Sequence, residues 1–452
     1  MRLKIKILLI VLCVAGLPGQ DQALAQLRAG YAKTDITPSK PVWMGGYDLR
    51  NASSDGVWDN IYVRALVFES GKTRVAFIEC DLVDLEDFDG DRKRISQETG
   101  IPVDNILLGT VHNHAAPVAE AKKNPEWAKQ FENSLGPTVK RAIAELRPVR
   151  IATGQGTSHI AMNRRAIVPE DRDTYSTYDE NNRSQSFGEF KTDHAIKIHE
   201  FEGELRLGAN PGGPTDTEVQ LVRIDDEQGK PYAVMIHYPC HGTTLGGRNG
   251  KISGEWMGHM GSYVESQVPG LHAIYLQGAA GDINPRVVGG LDGDRDDIKT
   301  TYALGEEIGR EVVRVYRTLT PQPLVNQQIE LMTRDILLPR AYRLLAASFN
   351  DPAVHAPTTA LRIGDLMWIT FPGELFSSIG KDVKAALPAQ DAYFMGYTNG
   401  SIGYFPTQKA FGEGGYEPSD SLLAPIAEHI YMREIRKLIR AFVAEYQSGT
   451  TE

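Results

Sequence analysis

The sequence predicts one large α/β unit. Strand-like apolar runs recur along the chain, several of them joined by hairpin signals. Amphipathic helical patterns lie between these runs, and no linker divides the chain into two domains. Residues 64–69 and 73–80 form the first pair, meeting at Ser70-Gly71-Lys72, and 106–110 reads as a buried strand. Asn124 is an N-cap candidate with Pro125 at the first helical position. Trp127, Phe131, Val139, Ile143 and Leu146 follow at helical spacing, and Gly136-Pro137 is expected to break this helix in two. Residues 169–213 are polar and read as a long loop, of the kind that is usually functional or mobile. A second hairpin pairs 219–224 with 232–237 around residues 225–230. A strand at 273–276 follows, then a helix marked by Leu304, Ile308, Val312 and Val315. Residues 359–363 and 366–370 turn at Gly364-Asp365, residues 394–397 form a last strand, and 426–446 carry a helical pattern.

Composition narrows the class. The chain has 452 residues, 41% hydrophobic and 23% charged, which excludes a disordered or collagen-like protein. Its 48 basic against 58 acidic residues give a net charge of −10, the wrong sign for a general nucleic-acid binder. The 44 glycines cluster beside His, Asp and Glu, as active-site loops do, although a glycine-rich β protein has the same count. At the N-terminus, Arg2, Lys4 and Lys6 precede an apolar run from Ile7 to Leu17, and Ala23-Leu24-Ala25 follows as a cleavage pattern. Residues 1–25 therefore read as a signal peptide, with 26–452 as the mature chain in a secreted or periplasmic location. Its removal leaves 45 basic against 57 acidic residues. No later segment is long and apolar enough to span a membrane. Only Cys80 and Cys240 remain, enough for one disulfide and too few for a disulfide framework.

Chemistry-bearing residues gather at the ends of the expected strands. The strand at 106–110 runs into Val111-His112-Asn113-His114-Ala115-Ala116-Pro117. Two histidines two residues apart point the same way in extended backbone. They suit a metal, or one ligand plus one acid/base group; a hydrogen-bonded structural pair is the competing reading. The strand at 232–237 leads to His241-Gly242-Thr243 and then to Ser253-Gly254-Glu255 in turning, glycine-rich backbone. After 273–276 come Asp282 and Asn284, which suit substrate contact, ligand orientation or turn capping. The strand at 367–371 ends in Pro372-Gly373-Glu374, and 394–397 runs on to Tyr404. Taken singly, a solvated glutamate and a packing tyrosine are the simpler readings of the last two. There is no HExxH, Walker A, complete GxGxxG or GxSxG motif, so an ordinary α/β-hydrolase is excluded. Asp292, Asp294 and Asp296 lack the glycine and glutamate of an EF-hand and read as a solvated acidic loop.

Together these segments resemble the neutral/alkaline non-lysosomal ceramidase family. The resemblance begins at Gly30-Tyr31-Ala32-Lys33-Thr34-Asp35-Ile36-Thr37-Pro38 and Met44-Gly45-Gly46-Tyr47. It continues through Tyr62-Val63-Arg64-Ala65-Leu66, Asn163-Arg164 and Gly281-Asp282-Ile283-Asn284-Pro285, to Gly415-Tyr416-Glu417. It implies a layered sandwich of β-sheets flanked by helices. It also implies a Zn2+ site whose ligands fall on His112, His241, Glu374 and Tyr404. His114, Arg164 and Tyr416 would face that site. The family's proposed nucleophilic serine falls on Asn284, which cannot attack but can hydrogen-bond substrate or water. Two histidines and a glutamate leave a position open for water, so a zinc-activated water is the favoured attacking group. His114 or Tyr416 would steady the oxyanion and His114 would protonate the leaving amine. Ser253 remains the alternative nucleophile, although no activating His–Asp pair is evident. Ala115-Ala116 departs from the family's Ser-Gly, and only 48 residues follow Tyr404, so the C-terminal immunoglobulin-like domain of larger members is expected to be absent.

The expectation is a secreted zinc amidohydrolase that cleaves an N-acyl lipid, ceramide first, with transient contact at a membrane surface. Deacylation of another N-acyl small molecule, an amino sugar or a lipoamino acid, is the variant. A non-catalytic secreted binding protein on the same fold is the alternative from a different class.

Overall fold

The computed structural model describes residues 26–47, 50–168, 204–288, 298–341 and 351–448. The segment read as a signal peptide and the acidic loop at Asp292, Asp294 and Asp296 lie outside the described residues.

An eight-stranded mixed sheet forms the centre. Its order is His272–Gln277, Pro231–Tyr238, Glu218–Asp226, Arg147–Thr157, Arg28–Asp35, Tyr62–Ser70, Thr73–Cys80 and Ile106–Thr110. A four-stranded sheet of Ile329–Pro339, Ala353–Ile363, Leu366–Thr370 and Ala392–Met395 packs against one face of it. Period-two alternation explains the layering. In Tyr62–Ser70, Leu66 and Phe68 face the four-stranded sheet, where they meet the cluster of Leu361, Trp368 and Tyr393. Val63, Ala65 and Val67 face the other way, toward Trp127, Phe131, Leu135 and Val139 of the helix Pro125–Ala144. In Leu366–Thr370, Trp368 faces the central sheet, while Met367 and Ile369 pack on Ile379, Val383, Tyr431 and Ile435 of the outer helices. The order of layers is helices, sheet, sheet, helices, which is the sandwich the sequence led us to expect.

The three expected hairpins are present as antiparallel pairs. Three details differ from expectation. The helix Pro125–Ala144 runs unbroken through Gly136-Pro137. Its buried stripe continues on both sides of the proline, from Phe131 and Leu135 to Val139 and Ala142, so packing outweighs the local penalty. Asn124 occupies the N-cap without a side-chain capping bond. Its amide instead ties Trp43 and Val118 together, accepting from Trp43 N and donating to Trp43 O and Val118 O. Within the expected loop at 169–213, Glu204–Asn210 forms a strand paired with Ala161–Val168. Cys80 and Cys240 are free, buried thiols. Among the described residues, no helix is long and apolar enough to cross a membrane.

Candidate active site

The strands that carry the chemistry run in parallel pairs. Ile106–Thr110 pairs with Thr73–Cys80, Pro231–Tyr238 with His272–Gln277, and Leu366–Thr370 with Ala392–Met395. Parallel strands deliver their carboxyl ends to one edge, where open α/β sheets bind ligands. His112, His241 and Glu374 follow these ends. A bridge from Gly109 to Thr398, with Leu108 N donating to Asn399 Oδ1, stitches the two sheets together beside them.

The histidine pair is not extended as expected. His112 has φ of 57°, an uncommon conformation for a residue with a side chain. The segment is held there by pairing with the His241 loop: Gly242 N donates to His112 O and His114 N to Gly242 O. Asn113, between them, donates to Asp81 O and Ser253 O. The two rings still meet, with centroids 4.7 Å apart, and the His112 and His241 rings are 4.6 Å apart. The ring nitrogens of His112, His114 and His241 include one from each within 4.8 Å of the others.

Glu374 completes the cluster. Its Oε2 lies 3.3 Å from His112 Nε2 and 3.2 Å from His241 Nε2. The other imidazole nitrogens are fixed by carbonyls: His112 Nδ1–H donates to Val83 O at 3.0 Å and His241 Nδ1–H to Ile283 O at 2.9 Å. Each Nε2 therefore presents a lone pair. Glu374–Leu375 pairs in parallel with Tyr404–Phe405, with Glu374 opposite Tyr404. Gly281 is required here for close approach, because a Cβ would collide with Glu374 O.

Arg164 sits behind this cluster. Its Nη1 is 3.1 Å from His241 Nε2 and donates to Asn284 Oδ1 at 3.2 Å, and its guanidinium lies 5.3 Å from the Tyr404 ring centre. Glu417, fully buried, accepts from Arg164 Nε at 2.8 Å and from Arg165 Nη1 at 2.7 Å. Tyr416, next in the chain, packs edge-on against Tyr404. Asp282 caps a distant helix instead of its own turn. It accepts from Ser377 N at the start of Ser377–Ala386 and from Asn163 Nδ2. Ser253 is committed to Asp59 Oδ2 at 2.8 Å and also accepts from Glu255 N.

A cavity of about 660 Å³ opens onto the cluster. Among its lining are His112, His114, Glu374, Tyr404 and Tyr416, so five of the eight proposed site residues reach it directly. His241, Arg164 and Asn284 are absent from the lining but joined to one another through Arg164. Ser253 does not line it either. Tyr47, Arg50, Asp84 and Tyr397 do, and sequence reasoning gave them no role. The Tyr397 ring lies 4.3 Å from that of His112, on backbone with φ of 53°. Glu417 was visible only as the neighbour of Tyr416 in its motif.

Electrostatics suit a cation. Burial, reinforced by the Arg164 charge, lowers the His241 pKa to about 4. Burial and the neighbouring imidazoles push His114 well below its usual value. Burial alone would raise the Glu374 carboxyl, but His112 and His241 beside it hold it well below the usual range. His241 and His114 are thus favoured as neutral imidazoles beside an ionised Glu374, the protonation states that metal ligation requires. His112 Nε2, both His114 nitrogens and Glu374 Oε2 are buried with no hydrogen-bond partner. Such orphans cost about 1–3 kcal/mol each unless a ligand satisfies them. The separations of 3.2 and 3.3 Å match the edge of about 3.3 Å of a tetrahedron with bonds near 2.0 Å. The donor set therefore fits zinc.

Comparison with known proteins identifies the family and the fold. The sequence profile of the neutral/alkaline non-lysosomal ceramidase N-terminal domain matches residues 27–304. Neutral ceramidase A of Dictyostelium discoideum is 25% identical over 305 residues, which are 60% of this chain. The chain spans only 38% of that relative's length. The crystal structure of neutral ceramidase from Pseudomonas aeruginosa superimposes with a TM-score of 0.71 at 17% identity, covering 92% of this chain and 74% of that one. A ceramidase complexed with C2 gives a TM-score of 0.72 at 17% identity, covering 93% and 76%. At these identities the structural likeness establishes the fold.

Proposed function

The chain belongs to the neutral/alkaline non-lysosomal ceramidase family, and from that premise we propose that it is a zinc-dependent hydrolase of N-acyl amides. Ceramide, cleaved to sphingosine and fatty acid, is the leading substrate. The observation that carries the reading is the approach of Glu374 Oε2 to both His112 Nε2 and His241 Nε2 in a cavity lined by orphaned polar atoms.

His112, His241 and Glu374 would hold the metal, with Tyr404 as a fourth donor. Bound there, zinc supplies Lewis-acid polarisation of an acyl oxygen and a water with a pKa near 7. The protein's own groups do the rest. Val83 O and Ile283 O fix the ligand imidazoles in one tautomer. Burial and the Glu374 and Asp420 charges keep the Tyr416 phenol protonated, so it offers an O–H to the developing oxyanion. His114 rests as neutral imidazole; it therefore takes a proton before returning one to the leaving nitrogen. Asn284 acts through Arg164, by accepting from its Nη1. The basic, apolar and small-residue succession of residues 1–25 supports a secreted or periplasmic location, where lipid substrate would be met at a membrane surface.

Metal analysis of the purified chain, paired with fatty-acid release from a panel of N-acyl compounds, tests this. The expected result is one zinc per chain, lost in His241→Ala together with hydrolysis. A folded protein that takes up no zinc and releases no acid from any amide would overturn the proposal. If ceramides are inert and an acyl amino sugar or lipoamino acid is cleaved, the mechanism stands and the leading substrate is replaced.

A further inference from the structure

Arg50 lines the cavity; the Glu255 charge acts on its guanidinium, but among the described residues no carboxylate contacts it. Its Nη1 donates to Gly45 O at 2.5 Å and to His114 O at 2.7 Å, and its Nη2 reaches Gly246 O at 3.4 Å. All three acceptors are backbone carbonyls. Among the described residues no carboxylate forms an ion pair with it, and its Nε–H is buried with no partner. Lys123, the other basic residue on the lining, lies 3.5 Å from Glu120. The Arg50 guanidinium also lies 4.8 Å from the centre of the Tyr47 ring, which shares the cavity wall.

The pattern of used and unused donors is specific. Both Nη1 hydrogens are spent on holding Gly45 and His114. Nε–H is unpartnered, and Nη2 beside it makes only the long 3.4 Å contact to Gly246 O; together they form the side-on edge that guanidinium offers to a carboxylate in two parallel bonds. A desolvated, unpaired guanidinium is costly, and such groups persist where a ligand supplies the counter-charge.

We propose that Arg50 forms a carboxylate subsite, and that the cavity accepts N-acyl amino acids as substrates, with the amino-acid carboxylate on the Nε/Nη2 edge. This rests on the N-acyl hydrolase reading of the same cavity and adds an anionic substrate class to it. In the reaction, water oxygen bonds the acyl carbon, the C–N bond breaks, and a proton passes to nitrogen, which leaves as the free amino acid.

The zinc-loaded protein is assayed with N-lauroylglycine and with neutral N-lauroylethanolamine, in the wild type, Arg50→Gln and Arg50→Lys. The wild type should favour the glycine conjugate about ten- to a hundredfold in kcat/KM, expressed in KM, as expected for a bond to a charged group. Arg50→Gln should abolish the preference. Arg50→Lys, which keeps the charge and loses the fork, should retain part of it if the glutamine variant fails to fold. No preference in the wild type, or an equal loss on both substrates in either folded variant, would overturn the subsite and leave Arg50 as a loop tie. Laurate, the acid product, is run as an inhibitor of the ethanolamide reaction. Inhibition that depends on Arg50, without any preference for the glycine conjugate, would assign the carboxylate to the product and overturn the substrate claim. Calorimetric binding of N-lauroylglycine to EDTA-treated protein separates the two readings. Arg50-dependent binding without turnover of either amide sinks the hydrolase and keeps the subsite. Turnover without preference does the reverse.

Discussion

Glu417 offers the sharpest test of how the site is held. It is fully buried and accepts from two guanidiniums, Arg164 at 2.8 Å and Arg165 at 2.7 Å. Burial opposes its ionisation, but the Arg164 and Arg165 charges keep its pKa below the usual value. The substitution Glu417→Gln preserves shape and one oxygen acceptor while removing the charge. Breaking a buried pair by losing one partner costs about 3–5 kcal/mol, because the other charge is left uncompensated. Unfolding entropy near 2.1 cal/mol/K per residue gives roughly 0.95 kcal/mol/K for 452 residues, so the melting temperature should fall about 3–5 °C. Function should suffer more than stability. Arg164 reaches His241 and Asn284, and Tyr416 adjoins Glu417 in the chain, so displacement of the pair disturbs both sides of the cavity. A misplacement near 1 Å costs on the order of a hundredfold in rate. Thermal melting and kcat for amide hydrolysis, measured on the same zinc-loaded preparation, check this. A variant that melts within 1 °C of the wild type, or about that, and turns over normally would refute the claim that this ion-pair network holds the site.

Two further outcomes follow from single positions. Gly46 has φ of 89°, and a Cβ there would lie 2.5 Å from His114 Nδ1. Gly46→Ala should cost about 2–4 kcal/mol from backbone strain and overpacking together. It should reduce turnover by displacing His114 while zinc content stays at the wild-type level; unchanged kcat would remove His114 from the mechanism. Burial raises the Glu255 pKa from 4.5 to about 7. The native state then holds a proton that the unfolded chain has released, so this group's contribution to stability falls as pH rises from about 4.5 to about 7 and is flat above. The interval is worth on the order of 3 kcal/mol. Glu255→Gln should show a shallower decline in denaturation midpoint across that window, and parallel curves for the two proteins would contradict the assignment.

The strands that end near His112, His241 and Glu374 were legible because their continuous apolar runs are local. Each is a short apolar run bounded by turn residues, and each spills its polar residues past its end. The sandwich of layers came from family resemblance, since alternation specifies two faces but not what covers them. Pro137 was misread for a related reason. Its helix-breaking tendency is local, whereas Trp127, Phe131, Leu135 and Val139 gain their burial from the distant Val63, Ala65 and Val67.

What stayed hidden depends on sequence-distant pairs and on backbone strain. Glu417 and Arg164 are 253 residues apart in sequence, and no pattern of period or motif joins them. His112 and Tyr397 adopt left-handed backbone that their side chains disfavour, so propensity argues against the very geometry that brings their rings together. Tyr404 shows how the two kinds of information combine. Alone it looked like packing; in parallel register opposite Glu374 its ring also comes within 5.3 Å of the Arg164 guanidinium and 5.4 Å of Tyr416. Family resemblance made that tyrosine a candidate ligand, and the register sets it opposite Glu374. The Arg50 side chain is unremarkable in sequence. It becomes informative only when its Nη1 is seen bonded to Gly45 O and His114 O, with its Nε still unpaired.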